Sequence, residues 1–190
     1  MDAYLDALEK EIDYTAAKFY HKHLNSIYIG GGTPTTLEPY QLDRLIRKIK
    51  CSFDLSDCLE FTVEAGRPDS ITREKLEVLR KWGITRISIN PQTMQQRTLD
   101  LIGRRHSVEQ TVESFKIARE LGFDDINMDL IMGLPEESLE DVRDTLEQIM
   151  QLKPDNLTVH SLALKRAARL NMFKDCLLYT SPSPRDRTRS

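Results

Sequence analysis

Short apolar strands alternating with longer amphipathic helices predict an α/β protein built on a parallel sheet. Two observations carry the expectation. Five runs rich in β-branched or aromatic residues start about 25 to 40 positions apart, too far for hairpins and suited to right-handed βαβ crossovers. Helix start and stop signals fall in the gaps between them. With 190 residues, 39% hydrophobic and 30% charged, the chain can bury one ordinary core, which excludes a disordered or collagen-like protein.

In order, Leu5, Leu8, Ile12 and Phe19 share one face of an opening helix. Residues 26–30 (SIYIG) form the first strand, and Leu42, Leu45, Ile46 and Ile49 make the buried stripe of the next helix. Residues 60–65 (EFTVEA) follow as a strand. Thr72 then caps a helix through Leu76 and Leu79 that stops at Gly83. After the strand 86–91 (RISINP), Ser107 and Gln110 fit a capping box for a helix carrying Phe115, Ala118 and Leu121 and ending at Gly122. The strand 125–131 (DINMDLI), a helix opened by Ser138 and Asp141 with Val142, Leu146 and Ile149, and the strand 156–162 (NLTVHSL) complete the array. A βα array that opens on a helix predicts a further strand before Met1.

Other classes are excluded by what the chain lacks. No apolar run approaches the roughly 18 residues of a membrane span, and the N-terminus MDAYLDALEKEID has no signal-peptide pattern, so a cytoplasmic protein is expected. A formal charge of −3 argues against nucleic acid as a partner. Cys51, Cys58 and Cys176 have no metal-ligand spacing and read as thiols. His21 and His23 are two apart, do not share a helix face, and are assigned no metal.

The most informative segment is Gly30-Gly31-Gly32-Thr33-Pro34-Thr35, directly after a strand. Three glycines remove every Cβ and let the backbone approach a ligand; a tight strand-to-helix turn is the alternative, and the segment lacks both GxGxxG and a Gly-Lys-Ser/Thr ending. Glu64, Gln92 and Asp129 fall at or near strand ends, which in a parallel βα array converge on one rim. Two carboxylates and an amide there suit hydroxyl and amine groups of a polar cofactor. Arg104 follows in a turn where it could pair with a carboxylate, and His160 lies in the last strand, where a packed or rim position and a catalytic one are both open.

IYIGGGTPT, FTVEAGRP, SINPQTM, IGRRH and NMDLIMGLP, in that order, resemble the radical S-adenosylmethionine (SAM) proteins of the oxygen-independent coproporphyrinogen III oxidase type over residues 1–175. HSLALKRAARLN and the long helix before the glycines are similar to the coproporphyrinogen dehydrogenase subgroup. The resemblance implies a partial parallel (β/α)6 TIM-like barrel and a 4Fe-4S cluster held by CxxxCxxC after the first strand. The cluster chelates SAM and cleaves it to a radical that takes hydrogen from a substrate propionate. Loss of carbon dioxide leaves a vinyl group, twice per porphyrinogen, in haem biosynthesis. It implies that Gly31, Gly32 and Thr33 line the methionine end of the cofactor, that Glu64, Gln92, Arg104 and Asp129 contact its polar groups, and that Ala163 lies beside the adenine. The implied partners are a porphyrinogen and an electron donor such as flavodoxin or ferredoxin, with no membrane and no nucleic acid.

Two features depart from the pattern. The chain holds no CxxxCxxC, since Cys51 and Cys58 have the wrong spacing, so the first strand and its cysteine loop are expected before Met1 and this polypeptide alone is expected to be inactive. Arg67 makes EAGRP one residue longer than the common E-x-x-P form. Relatives of this type that act in haem trafficking share the same core motifs, and a phosphate-binding βα-barrel enzyme is a third reading. Residues 176–190 (CLLYTSPSPRDRTRS) resemble the translation of a sequencing adapter and are set apart from the barrel domain, 1–175.

Overall fold

A computed structural model of the chain describes residues 1–19 and 23–162. Five strands, β1 (Ser26–Ile29), β2 (Glu60–Ala65), β3 (Arg86–Gln92), β4 (Asp125–Met132) and β5 (Asn156–Ser161), form one parallel sheet in the order in which they occur along the chain. The strand order never reverses, which is the arrangement of a barrel wall and not of a doubly wound sheet. Each expected strand is present, with ends that differ by no more than one residue.

The crossovers are α2 (Pro39–Ser52), α3 (Arg73–Lys81), the pair α4 (Gln96–Leu101) and α5 (Val108–Glu120), and α6 (Leu139–Leu152), with α1 (Asp2–Lys18) before the sheet. Phe61, Val63 and Ala65 of β2, Ile87 and Ile89 of β3, and Ile126, Met128 and Leu130 of β4 alternate along their strands onto the helix-covered face. They meet Leu42 and Ile46 of α2, Leu76 and Leu79 of α3, and Phe115 and Ala118 of α5 in one core. Each fully buried side chain contributes about 1.5–3 kcal/mol.

The helix boundaries follow the predicted caps. Thr72 Oγ1 accepts from Lys75 N, and Ser107 and Ser138 form reciprocal capping boxes with Gln110 and Asp141. α1 buries Leu5 and is pinned to α2 by Arg44 with Glu9 at 2.7 Å and by Lys48 with Asp13 at 2.5 Å. It does not bury Phe19: the helix ends at Lys18, and Phe19 caps it with 42% of its surface exposed. Sequence periodicity did not anticipate α4 or the two 3-10 turns Pro34–Thr36 and Pro68–Ser70. Each turn opens on proline, whose fixed φ suits a first helical position. Cys51 is exposed and Cys58 half-buried, both free. Ala163, Cys176, His21 and the 175/176 boundary lie outside the described residues. No helix among the described residues is long and apolar enough to cross a membrane.

Candidate functional site

Strand alternation that sends apolar residues to the helices sends polar ones to the opposite face. Tyr28, Thr62, Glu64, Ser88, Asn90, Asn127, Asp129, Thr158 and His160 occupy that face by parity, and a hydrogen-bond chain links its strands. Glu64 is the hub. Its Oε2 accepts from Tyr28 Oη and from the Gly31 amide, each at 3.3 Å, and its Oε1 accepts from Asn90 Nδ2 at 3.2 Å. Ser88 Oγ donates to Asn90 Oδ1 at 2.9 Å, and Asn127 Nδ2 donates to Ser88 Oγ at 2.9 Å and to Asp129 Oδ1 at 2.6 Å. Thr158 Oγ1 completes the path by donating to Asn127 Oδ1 at 3.0 Å. Burial, and next the Glu64 carboxylate, push the Tyr28 phenol above its ordinary value, so it stays a donor.

Toward the N-terminal ends of the strands an ionic layer closes the same face. Arg86 lies 3.5 Å from Glu60 and 3.4 Å from Asp125, and Asn156 Nδ2 donates to Asp125 at 2.8 Å.

At the other end the glycine turn is open. A Cβ on Gly30 would overlap the Tyr28 ring, so glycine is what allows that ring to reach Glu64. Gly31 and Gly32 have φ of +74° and +55°, and nothing lies within 4 Å of a Cβ placed on either; the conformation requires glycine while the space above it is free. Thr33 Oγ1 donates to Gly32 O at 2.8 Å, and Thr36 Oγ1 to Thr33 O at 2.7 Å. A groove of about 720 Å³ runs from this turn along β1, lined by Ile27, Ile29, Leu45 and Phe53 among others.

The structure thus brings Gly31 and Glu64 into contact and joins Asp129 to them through Asn127, Ser88 and Asn90. Asp129 is not at the strand end: it is the fifth of eight residues in β4 and sits on the wall below the rim. Gln92 ends β3 as expected, at φ +71° after a bulge, and lines a small cavity with Thr93, Glu137 and Thr145. Arg104 is half-buried in the turn after α4 and forms no direct ion pair among the described residues. Burial, and then the neighbouring Arg67, hold its guanidinium below the ordinary value, with the Asp69 carboxylate nearby opposing them. His160 is exposed on the polar face, so it is not a packed residue.

Three buried ionisable residues escaped sequence reasoning. Lys75 (8% exposed) donates to two backbone carbonyls. Glu137 (3%) accepts from Thr93 Oγ1 at 2.6 Å. His106 (1%) lies 3.2 Å from the Pro91 carbonyl and is kept below its ordinary value chiefly by burial, hence neutral. Each has a partner at least 15 positions away in sequence, Thr35, Thr93 and Pro91 respectively, and no local signal marks them. The polar face itself had a signal, the period of two in EFTVE, RISIN and INMD.

A cofactor with an α-amino acid end fits this arrangement: open backbone at Gly31 and Gly32, an acceptor at Glu64 beside them, and a second carboxylate at Asp129 along the same polar face. An iron–sulfur cluster does not fit the described residues, which bring together no group of three His, Cys, Asp or Glu side chains able to hold a metal.

Comparison with known proteins agrees with the geometry. The chain is 48% identical over 152 residues to the oxygen-independent coproporphyrinogen-III oxidase-like protein HemZ of Bacillus subtilis, covering 80% of this chain and 30% of that protein. It is 37% identical to the heme chaperone HemW of the same organism, over 98% of this chain and 49% of the relative. The crystal structure of coproporphyrinogen III oxidase (HemN) from Escherichia coli, described there as a radical SAM enzyme, superposes with a TM-score of 0.81 at 33% identity, covering 98% of this chain and 43% of that one. The chain therefore spans between about a third and a half of the length of these relatives. A sequence profile matches residues 4–149, most of the chain, and by that match this protein belongs to the radical SAM superfamily.

Proposed function

We propose that this chain is the cofactor-holding part of an oxygen-independent coproporphyrinogen III oxidase, which converts coproporphyrinogen III to protoporphyrinogen IX. The observation that carries the reading is the glycine turn facing the Glu64 hub, on a chain 48% identical to an oxidase-like relative. Each of two propionates loses a hydrogen atom to a radical, carbon dioxide, and one electron to an external one-electron acceptor, and becomes a vinyl group. SAM, when bound, supplies the radical that takes the hydrogen.

The residues of this chain bind and orient. Gly31, Gly32 and Thr33 present backbone to the methionine end, and Glu64 accepts from the amino group while Tyr28 and Asn90 hold its carboxylate in place. Arg104 pairs with the cofactor carboxylate. Asp129 takes hydroxyl groups deeper on the polar face, Gln92 contacts the cofactor from the end of β3, and Ala163 lies beside the adenine. No step is assigned to an iron–sulfur cluster, because the described residues offer it no ligands. A porphyrinogen substrate, an electron donor such as flavodoxin or ferredoxin, and a cytoplasmic location belong to the same proposal.

The heme-chaperone relative, matched over 98% of this chain, favours a second reading, a haem-trafficking protein without oxidase activity. One assay separates the two. The complete gene product, reconstituted without oxygen, is given coproporphyrinogen III and a reductant, and in parallel is loaded with haem and offered a haem-free acceptor. Protoporphyrinogen formation supports the oxidase. Stable haem transfer without conversion overturns it in favour of the chaperone. For the chain alone, binding of S-adenosylhomocysteine in preference to sugar phosphates supports the pocket assignment, and the reverse preference overturns it.

A further inference from the structure

Beneath the glycine turn lies a buried ammonium that the proposed binding scheme leaves unused. Lys75, in the first turn of α3, is 8% exposed. Its Nζ donates to the Thr35 carbonyl at 2.7 Å and to the Ser70 carbonyl at 3.2 Å, and it forms no ion pair with a carboxylate among the described residues. Taking an ammonium out of water costs several kcal/mol, which a purely structural contact recovers more cheaply with an apolar side chain such as the neighbouring Leu76 or Leu79. What the ammonium offers instead is reach to two turns at once.

Those turns are the ones that carry the site. Thr35 follows Gly31, Gly32 and Thr33, and Ser70 follows Glu64 and Arg67. Pairing between β1 and β2 ends at Ile29 with Val63, so the strand ladder does not fix the glycine turn against Glu64. Above that point the turns are held by the 3.3 Å contact from the Gly31 amide to Glu64, and below it by a hydrogen bond of 2.6 Å between the Thr35 and Ser70 hydroxyls. Ser70 Oγ is itself tied to the Arg67 carbonyl at 2.8 Å. The Lys75 ammonium underpins the lower bond from both sides.

We propose that Lys75 is a positioning residue, whose ammonium sets the glycine turn at a fixed distance from Glu64 and so shapes the subsite for the amino-acid end of the cofactor. The ligand part rests on the cofactor reading above; the positioning part does not. A lysine acting through a turn that has no side chains of its own is read best at the backbone.

The experiment compares wild type, Lys75→Met and Lys75→Arg in the 190-residue chain, by amide correlation spectra of the glycines and by titration with S-adenosylhomocysteine in the same samples. In Lys75→Met the Gly31 and Gly32 cross-peaks are expected to move or broaden while Gly83, Gly103 and Gly122 stay in place. Affinity is expected to fall about tenfold, the equivalent of one net hydrogen bond, and Lys75→Arg, which keeps a donor and the charge, is expected to restore both. Unmoved Gly31 and Gly32 peaks overturn the proposal, as does an unchanged affinity in Lys75→Met. If the wild-type chain binds no S-adenosylhomocysteine, the cofactor reading fails, while the glycine peaks still decide for or against Lys75. Should Lys75→Met fail to fold, Lys75→Gln, which keeps one donor, is read by the same two criteria.

Discussion

Replacing Glu137 with glutamine is expected to leave stability unchanged in acid and to raise it progressively above the ordinary carboxyl value of 4.5. Glu137 lies in the turn between β4 and α6, 3% exposed, and accepts from Thr93 Oγ1 at 2.6 Å. Thr93 is within 3.2 Å of Thr145 Oγ1, which also accepts from the Met94 amide at 3.2 Å. Burial pushes the Glu137 carboxyl above its ordinary value, against the smaller opposing effects of the Thr93 and Thr98 hydroxyls. In the unfolded chain the proton leaves near 4.5, whereas the folded protein keeps it to higher pH. Between the two values the folded state holds one proton more, and stability falls by up to about 1.4 kcal/mol per pH unit. Above the folded value the slope returns to zero and the deficit persists. Glutamine does not titrate and keeps an oxygen for Thr93, so the difference between variant and wild type isolates this group. Urea unfolding followed by circular dichroism in buffers from acid to slightly alkaline gives that difference directly. A gap that is flat across the series, or that narrows as pH rises, refutes the argument. Glu137→Ala, which strands the Thr93 donor, is expected to cost about 1–3 kcal/mol even in acid.

Three further outcomes are expected. Gly30→Ala displaces the Tyr28 ring from Glu64, so S-adenosylhomocysteine affinity falls while the midpoint of urea unfolding moves little; unchanged binding counts against the Tyr28–Glu64 contact as part of the site. Arg104→Gln removes the half-buried cation and is expected to weaken the same ligand by about 10- to 100-fold, the range of a charge-assisted hydrogen bond, with the loss shrinking at high salt. Phe123→Ala, at a fully buried position in the core, is expected to cost about 3–5 kcal/mol in urea unfolding without altering ligand preference in whatever folded fraction remains.

How far the sequence discloses this structure depends on where each signal resides. Strand positions and helix starts are local: the β-branched runs and the boxes Ser107–Gln110 and Ser138–Asp141 are complete within a few residues, and both appear where expected. The miss at Phe19 is also local in origin, since apolar spacing continued the stripe past the point where the helix stops. α4 is six residues long, too short for any periodicity to register. Glu64 and the glycine turn are legible as strand-end features, whereas Asp129 lies within its strand, on the wall below the rim, as the expected span 125–131 already implies. Lys75 and Glu137 could not be read at all, because a bonding partner of each, Thr35 and Thr93, stands 40 and 44 positions away.

Those two hidden residues share a role that clarifies how the fold serves the site. Each is ionisable, each is buried behind the rim, and each ties a turn after one strand to a neighbouring element: Lys75 joins the turns after β1 and β2, and Glu137 joins the turn after β3 to α6 through Thr93 and Thr145. Parallel strands alone cannot supply this, since their hydrogen-bond ladder ends where these turns begin. The apolar helix-side core provides the stability against which such costly groups can be held, and the polar face opposite it provides the contacts. On the proposed binding scheme, rigidity at the rim is thus obtained from side chains outside the cofactor contacts. A substitution at either residue should disturb the turns it joins more than the five-stranded wall behind them.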